Sequence, residues 1–136
     1  MRKAVIISII TILWIISVGA GIHTCAEGPG PYADVSEFQT MYTTAYCLHG
    51  ITANGGTTRP GICACNPHVG DIAMVYTMDG EFITMLECTD KGTTNGLQSG
   101  TVLDVWFDTY EECQEWMVRT SNDANKVKVL WIHGVG

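Results

Sequence analysis

From residue 40 onward, short segments with the composition of β-strands alternate with loops that are rich in glycine and asparagine. The segments are rich in Thr, Tyr, Val and Ile, and turn-forming residues bound them, which is the pattern of strands. The predicted strands lie at residues 40–47, 62–65, 72–77, 81–89, 101–107 and 127–132. Met78-Asp79-Gly80 separates the third from the fourth, and Asp-Gly between two such runs is a strong signal for a β-hairpin.

One helix is predicted after the fifth strand. Residues 108–111, Asp-Thr-Tyr-Glu, have the spacing of a capping box, with Asp108 as the N-cap residue. Residues that recur at helical spacing then extend the helix to about Arg119. Its inward side holds Tyr110, Cys113 and Met117. Six short strands and one short α-helix around a single core predict a mainly β fold, a small β-barrel.

The first 26 residues have the pattern of an export signal. Arg2 and Lys3 precede an apolar run, residues 4–18, and small residues follow it, as in secretory signal peptides. The apolar stretch also approaches the roughly 20 residues of a membrane-spanning helix, so an uncleaved anchor is the alternative. Residues 27–39 are predicted to form a linker and residues 40–136 one domain. Both alternatives place that domain outside the cytoplasm, secreted or associated with the cell envelope.

The charge of the predicted domain restricts its partners. Residues 27–136 carry 14 acidic and 5 basic side chains, a net charge of −9 with histidine neutral. Such a charge argues against nucleic acid as a partner and against binding to anionic lipid. Contact with a membrane is therefore expected only through the N-terminal segment, and the domain is expected to be a monomer.

Five cysteines lie in the predicted domain. In an exported chain, cysteines are more often joined in disulfides than left as reactive thiols. The disulfide candidates, with their connectivity open, are Cys47, Cys63, Cys65, Cys88 and Cys113.

A tetrahedral zinc site is an alternative use of some of these cysteines. Its ligands would come from Cys47, His49, Cys63, Cys65 and His68. The Cys-x-Cys spacing is unusual for zinc, and export favours oxidation, so neither a metal nor a cofactor is expected. A Cys-His nucleophile is a further alternative, but no cysteine has a distinguishing context. His133, near the end of the chain, is expected to be a surface residue.

Two aspartates are the strongest candidates for chemistry. Asp90 follows the fourth predicted strand, and Asp104 lies inside the apolar fifth strand. A carboxyl group held among apolar side chains is expected to have a raised pKa, which makes it a usable proton donor near neutral pH. If the two strand ends meet at the rim of the barrel, the pair resembles the carboxylates that cleave glycosidic bonds. The alternative is structural: Asp90 would start a turn and Asp104 would accept bonds from backbone amides.

Strand alternation predicts which residues share a face with these acids. It puts Asp90 on the face of Cys88, and it puts Asp104 on the face of Val102 and Trp106. Because the fifth strand is almost entirely apolar, it is expected to be buried on both faces. Three tryptophans in apolar runs are expected to pack in the core or against the helix: Trp106, Trp116 and Trp131.

Five segments of the chain, taken in order, resemble the signatures of a known family. They lie at residues 43–47, 52–55, 61–67, 89–92 and 103–108. They resemble the Thr-Ala-Tyr-Cys, Thr-Ala-x-Gly, Gly-x-x-Ala-x-Asp-Pro, Asp-x-Gly-Gly and Ile-Asp-Leu-Tyr-Phe-Asp motifs of the three-aspartate (3D) domain. The similarity extends from about residue 41 to residue 132, nearly the whole of the predicted domain.

This resemblance implies a double-psi β-barrel related to the catalytic barrel of membrane-bound lytic transglycosylase A and to stationary-phase muralytic enzymes. Such enzymes cut the bond between N-acetylmuramic acid and N-acetylglucosamine in peptidoglycan and leave a 1,6-anhydro product, without a metal. The matched positions imply that Asp104 is the acid and base and that Asp90 assists it. The loops at residues 50–61 and 90–100 would line the groove.

The resemblance also implies a set of residues that bind the glycan. These are Tyr46, Asn66, Lys91 and Gly92. Asn66 stands where the family has its first aspartate, and its amide would bind the substrate in place of a carboxylate. Two other functions stay open: a non-catalytic module of the expansin kind that binds cell-wall glycan, and a disulfide-stapled domain that binds another protein.

Overall fold

The computed structural model describes residues 34–35 and 37–134 of the chain. The predicted signal peptide or anchor at residues 1–26 lies outside the described residues. Within them, no helix has both the length and the apolar character needed to cross a membrane.

The described residues form seven strands and two α-helices. In chain order these are β1 (Asp34–Val35), β2 (Gln39–Tyr46), β3 (Ile62–Ala64), β4 (Ile72–Tyr76), β5 (Phe82–Asp90), α1 (Asn95–Ser99), β6 (Val102–Trp106), α2 (Tyr110–Thr120) and β7 (Lys126–His133). Strands β2 to β7 coincide with the six predicted strands to within about two residues at each end. β1 and the five-residue helix α1 were not predicted, and β1 falls inside the predicted linker.

Strands β2 to β7 close into a six-stranded barrel. The hydrogen-bonded order is β7-β2-β6-β3-β5-β4, and β4 pairs again with β7 to close the ring. Two of the pairs, β2 with β6 and β3 with β5, are parallel, whereas the other pairs of the ring are antiparallel. The prediction of a mainly β protein built as a barrel is therefore confirmed.

The predicted hairpin joins β4 and β5. These strands are antiparallel neighbours, and the Thr77 N–H donates to the carbonyl of Glu81 at 2.8 Å while the Gly80 N–H donates to the carbonyl of Thr77 at 3.0 Å. Gly80 has a φ of 93°, a conformation that favours glycine. The turn residues thus fix the register of the two strands, as the Asp-Gly pair predicts.

Alternating apolar residues of the strands fill the barrel interior. Leu103 and Val105 of β6 are 0% and 1% exposed, whereas Val102 and Asp104 on the other face are only partly buried. The expectation that β6 is buried on both faces is therefore wrong. On its outer face Trp106 is buried, but Asp104 is partly exposed to solvent. All three tryptophans that were expected in the core are buried.

The five described cysteines are free thiols, which corrects the expectation of disulfides. They serve instead as small apolar side chains, and all but Cys47 are buried. Burial raises the pKa of Cys65 to about 12 and that of Cys113 to about 11. These two thiols stay protonated at neutral pH, which argues against either of them as a nucleophile.

Asp108 does not cap helix α2, which corrects the predicted N-cap. The cap is Thr109: its hydroxyl accepts the Glu112 N–H at 3.3 Å, and the Glu112 carboxylate accepts the Thr109 N–H at 3.1 Å. Both Glu111 and Glu112 could complete a capping box, so the sequence allows two registers. The Phe107 N–H still bonds to the carbonyl of Tyr46 at 2.9 Å. The helix therefore begins one residue later than predicted.

A buried hydroxyl connects the barrel to α2 and gives a test of the packing. Thr43 donates to the carbonyl of Leu103 at 3.0 Å and accepts the indole N–H of Trp116 at 2.9 Å. Thr43→Val keeps the shape of the side chain but leaves the Leu103 carbonyl and the Trp116 indole N–H without this partner. We therefore expect a loss of about 1–3 kcal/mol in the free energy of unfolding. Urea denaturation measures it. Thr40→Val, on the exposed face of the same strand, is the control, and equal stability of the two variants would contradict the prediction.

Candidate functional site

The two candidate aspartates lie on either side of one small residue, Ala64. In the sheet, Ala64 pairs with Asp104 of β6 on one side and with Asp90 of β5 on the other. Residues that are paired across strands point to the same face. The carboxyl groups of Asp90 and Asp104 therefore start from Cα atoms about 10 Å apart, two strand spacings, with only a methyl group between them.

A bulge in β5 produces this alignment. Cys63 pairs with Cys88, but the next residue, Ala64, pairs with Asp90, so Thr89 is left as the extra residue. The bulge shifts Asp90 to the opposite face from Cys88. The prediction that these two residues share a face is wrong, because simple alternation does not allow for an inserted residue.

Both carboxyl groups line a cavity of about 390 Å³ at one end of the barrel. The loops that follow β2 and β5 form its walls, and Lys91, Gly92 and Tyr46 also line it. Two exposed apolar side chains, Leu48 and Ile51, stand at the same cavity. A second cavity, of about 320 Å³, lies against α2 and holds neither of the paired aspartates.

The surroundings of Asp104 shift the pKa of its carboxyl group in both directions, with a net rise. Burial raises the pKa of its carboxyl group above the usual value. A hydrogen bond from the Thr44 hydroxyl, 2.7 Å from Oδ1, acts in the opposite direction, and the negative charge of Asp90 adds to the rise. The raised pKa that was predicted for an acid inside an apolar strand is therefore confirmed in direction.

Asp90 is held by three donors from three parts of the chain. Its Oδ1 accepts the backbone N–H of Ala53 at 3.1 Å and that of Lys91 at 2.9 Å, and its Oδ2 accepts the hydroxyl of Tyr46 at 3.1 Å. Burial, and then the charge of Asp90, raise the pKa of Tyr46 far above its usual value, so the phenol stays a donor. Asp90 thus holds together the end of β2, the loop at Ala53 and the turn at Lys91 through hydrogen bonds.

Asn66 has a different position from the one implied by the resemblance. Its amide faces the backbone of Gly92: Nδ2 donates to the Gly92 carbonyl at 2.9 Å, and Oδ1 accepts the Gly92 N–H at 2.8 Å. It is not among the residues that line the cavity. Asn66 therefore positions the turn that carries Lys91 and Gly92, and both ends of its amide are used in doing so.

This two-way contact predicts what an acid at position 66 would do. An aspartate can accept the Gly92 N–H, but when ionised it cannot donate to the Gly92 carbonyl. We expect Asn66→Asp to lower the free energy of unfolding by roughly 1–3 kcal/mol, measured by urea denaturation at pH 7. Asn95→Asp, an exposed residue of α1, is the control for a change of charge. A stabilised Asn66→Asp variant would show that the position is built for a carboxylate.

Some residues of the site carry no signal in the sequence. Thr44 binds Asp104 because it is the residue paired with it across β2 and β6, and Ala53 contributes only its backbone N–H. The zinc ligand set considered above is not brought together in the described residues, where His68 meets Asp71 and His133 instead of the cysteines.

No family model, no curated protein and no solved structure matches this chain.

Proposed function

We propose that this chain is an exported lytic transglycosylase of the 3D type that cleaves peptidoglycan. The order of the five motif segments supports the family, and two parallel strand pairs inside an otherwise antiparallel barrel support a double-psi architecture. The apolar N-terminal run supports an exported protein. The acidic charge of the domain supports a polar polymer other than nucleic acid as its ligand.

In this proposal the reaction uses one side chain as acid and then as base. Asp104 donates its proton to the oxygen of the glycosidic bond, which breaks as positive charge develops at C1 of the muramic acid residue. The 6-hydroxyl of that same residue then attacks C1 and returns its proton to Asp104. The products are a new chain end and a 1,6-anhydro end, and neither a water molecule nor a cofactor is consumed.

One observation carries the proposal: a partly buried acid with a raised pKa faces a cavity beside a second acid. An acid that is to donate a proton near neutral pH must hold it there, and burial together with the Asp90 charge favours that. Leu48 and Ile51, 77% and 80% exposed, provide apolar surface at the cavity on which the face of a sugar ring can rest.

A non-catalytic module that binds cell-wall glycan is the second candidate. The Thr44 hydroxyl favours it, because the bond of 2.7 Å to Asp104 stabilises the ionised carboxylate. If that bond dominates in solution, Asp104 accepts hydrogen bonds from sugar hydroxyls and does not donate a proton. The same cavity then binds a glycan strand without turnover.

Digestion of purified peptidoglycan with the full chain distinguishes the two candidates. We expect mass spectrometry of the soluble fraction to find muropeptides with 1,6-anhydro ends, which weigh one water less than the products of hydrolysis. Sedimentation of the protein with the insoluble wall, without soluble products, would favour the binding module. If the experiment finds neither soluble products nor sedimentation with the wall, both candidate functions are rejected.

A further inference from the structure

A second cluster of polar side chains lies where the last strand meets the turn before β4. Nδ1 of His68 is 3.0 Å from Oδ2 of Asp71, and Nδ1 of His133 is 2.7 Å from the same oxygen. One ligand atom from each residue lies within 4.8 Å of the other two. The register accounts for the meeting, because Ile72 of β4 pairs with Ile132 of β7. Asp71, just before the start of β4, and His133, at the end of β7, therefore lie next to each other.

The two imidazole rings are held in place by stacking. The His68 ring lies flat on the indole of Trp131, with centroids 3.8 Å apart and planes 2° apart. The His133 ring stands 5.8 Å from the His68 ring at an angle of 18°. Trp131 is buried, so the platform under His68 is rigid. Both Nδ1 atoms lie within hydrogen-bond distance of the same carboxylate oxygen.

The chemistry of the cluster suits a first-row transition ion. Two imidazole nitrogens and one carboxylate oxygen are a common ligand set for Zn²⁺, whereas Ca²⁺ and Mg²⁺ prefer oxygen alone. Bonds of about 2.0–2.1 Å in a tetrahedral site separate ligand atoms by roughly 3.4 Å. The present separations of 3.0 and 2.7 Å are close to that value, so small side-chain rotations suffice to admit an ion.

The cluster is also accessible to an ion from solution. The side chains of His68, Asp71 and His133 are 19%, 15% and 35% exposed. None of the three lines the cavity of Asp90 and Asp104. The cluster is therefore a separate site, and nothing in the proposed cleavage reaction needs it.

We propose that His68, Asp71 and His133 bind one divalent transition ion of the Zn²⁺ type, with the fourth position open to solvent. The ion takes the position between the two Nδ1 atoms and the carboxylate oxygen. Each imidazole binds it as the neutral ring with its proton on Nε2, and any further proton is released to solvent. The ion ties the 3₁₀ turn at Asn66–His68, which lies between β3 and β4, to the end of β7. Since the same turn begins with Asn66, the ion also holds the support of Gly92 in place.

Titration of the full chain with Zn²⁺, after removal of metal with a chelator, tests the proposal. We expect saturable binding of one ion per chain and a melting midpoint raised by about 5 °C or more at excess ion. His68→Gln and His133→Gln should each weaken binding by about 100-fold or more, because each removes one of three protein ligands. His23→Gln and His49→Gln are the matched controls, because the chain has four histidines in all, and they should bind as the parent does.

Two measurements on the unsubstituted chain keep the test independent of folding in the variants. In ¹⁵N spectra of the histidine rings, Zn²⁺ should shift Nδ1 of His68 and of His133 and leave His49 unchanged. With Co²⁺, absorption in the visible region should appear without a thiolate charge-transfer band. Absence of stoichiometric binding, a thiolate band, or loss of binding in the His49→Gln or His23→Gln chain would each overturn the proposal.

Discussion

Replacing Asp104 by asparagine is expected to reduce the release of 1,6-anhydro muropeptides by about 10²–10⁴-fold, the contribution usual for general acid–base catalysis. The side chain keeps nearly the same volume and can still accept the Thr44 hydroxyl. In the proposed reaction it loses the proton that the glycosidic oxygen receives, so binding to the wall should persist while turnover fails. The rate of release of anhydro products from purified peptidoglycan is the measurement.

The fold should survive this substitution, and stability measurements can check that. A carboxyl whose pKa is raised on folding contributes most to stability at low pH, and that contribution is lost as pH rises through its folded pKa. Asparagine has no proton to lose, so Asp104→Asn removes the cost of ionising a partly buried carboxyl group as the pH rises, and the variant should melt at the same temperature as the parent or higher. Asp108→Asn is the control at the exposed end of the same segment and should keep full turnover. An unfolded Asp104→Asn chain, or one with full turnover, would contradict the assignment.

Local sequence signals predicted the elements of the fold because those signals are themselves local. The turn at Asp79-Gly80 and the composition of the flanking runs are enough to specify two strands and their pairing. Helix α1 was not predicted because five residues, Asn95–Ser99, are too few to show a helical period. The helix ends at Gly100, which has a left-handed conformation with a φ of 77°. The closed order of six strands depends on long-range pairing and has no local signal.

The candidate site could be predicted only in part, because it depends on contacts between residues that are far apart in the chain. Asp104 was recognisable as an acid in an apolar run. Its approach to Asp90 depends on the bulge at Thr89, which strand alternation cannot anticipate. The role of Asn66 in bracing Gly92 is likewise a contact between residues 26 positions apart. The meeting of His68 with His133 follows from barrel closure, so His133 looked like an isolated surface residue.

Asp90→Asn tests the electrostatic link between the two acids. The change removes a negative charge that raises the pKa of Asp104, while an amide oxygen can still accept the N–H groups of Ala53 and Lys91. The pKa of Asp104 should fall. Since Asp104 must be protonated to act as the acid, the loss of activity on the alkaline side of the pH profile should then begin at a lower pH.

The expected result is reduced turnover at neutral pH with recovery toward acidic pH, which a purely structural role for Asp90 does not produce. The profile of kcat/KM against pH reports this shift for the free enzyme. Asp79→Asn, in the exposed hairpin turn, removes the same charge away from the cavity and should leave the profile unchanged. If Asp90→Asn lowers activity equally at every pH, its charge does not set the protonation of Asp104. Its role would then be limited to holding the Tyr46 hydroxyl and the Ala53 loop around the cavity.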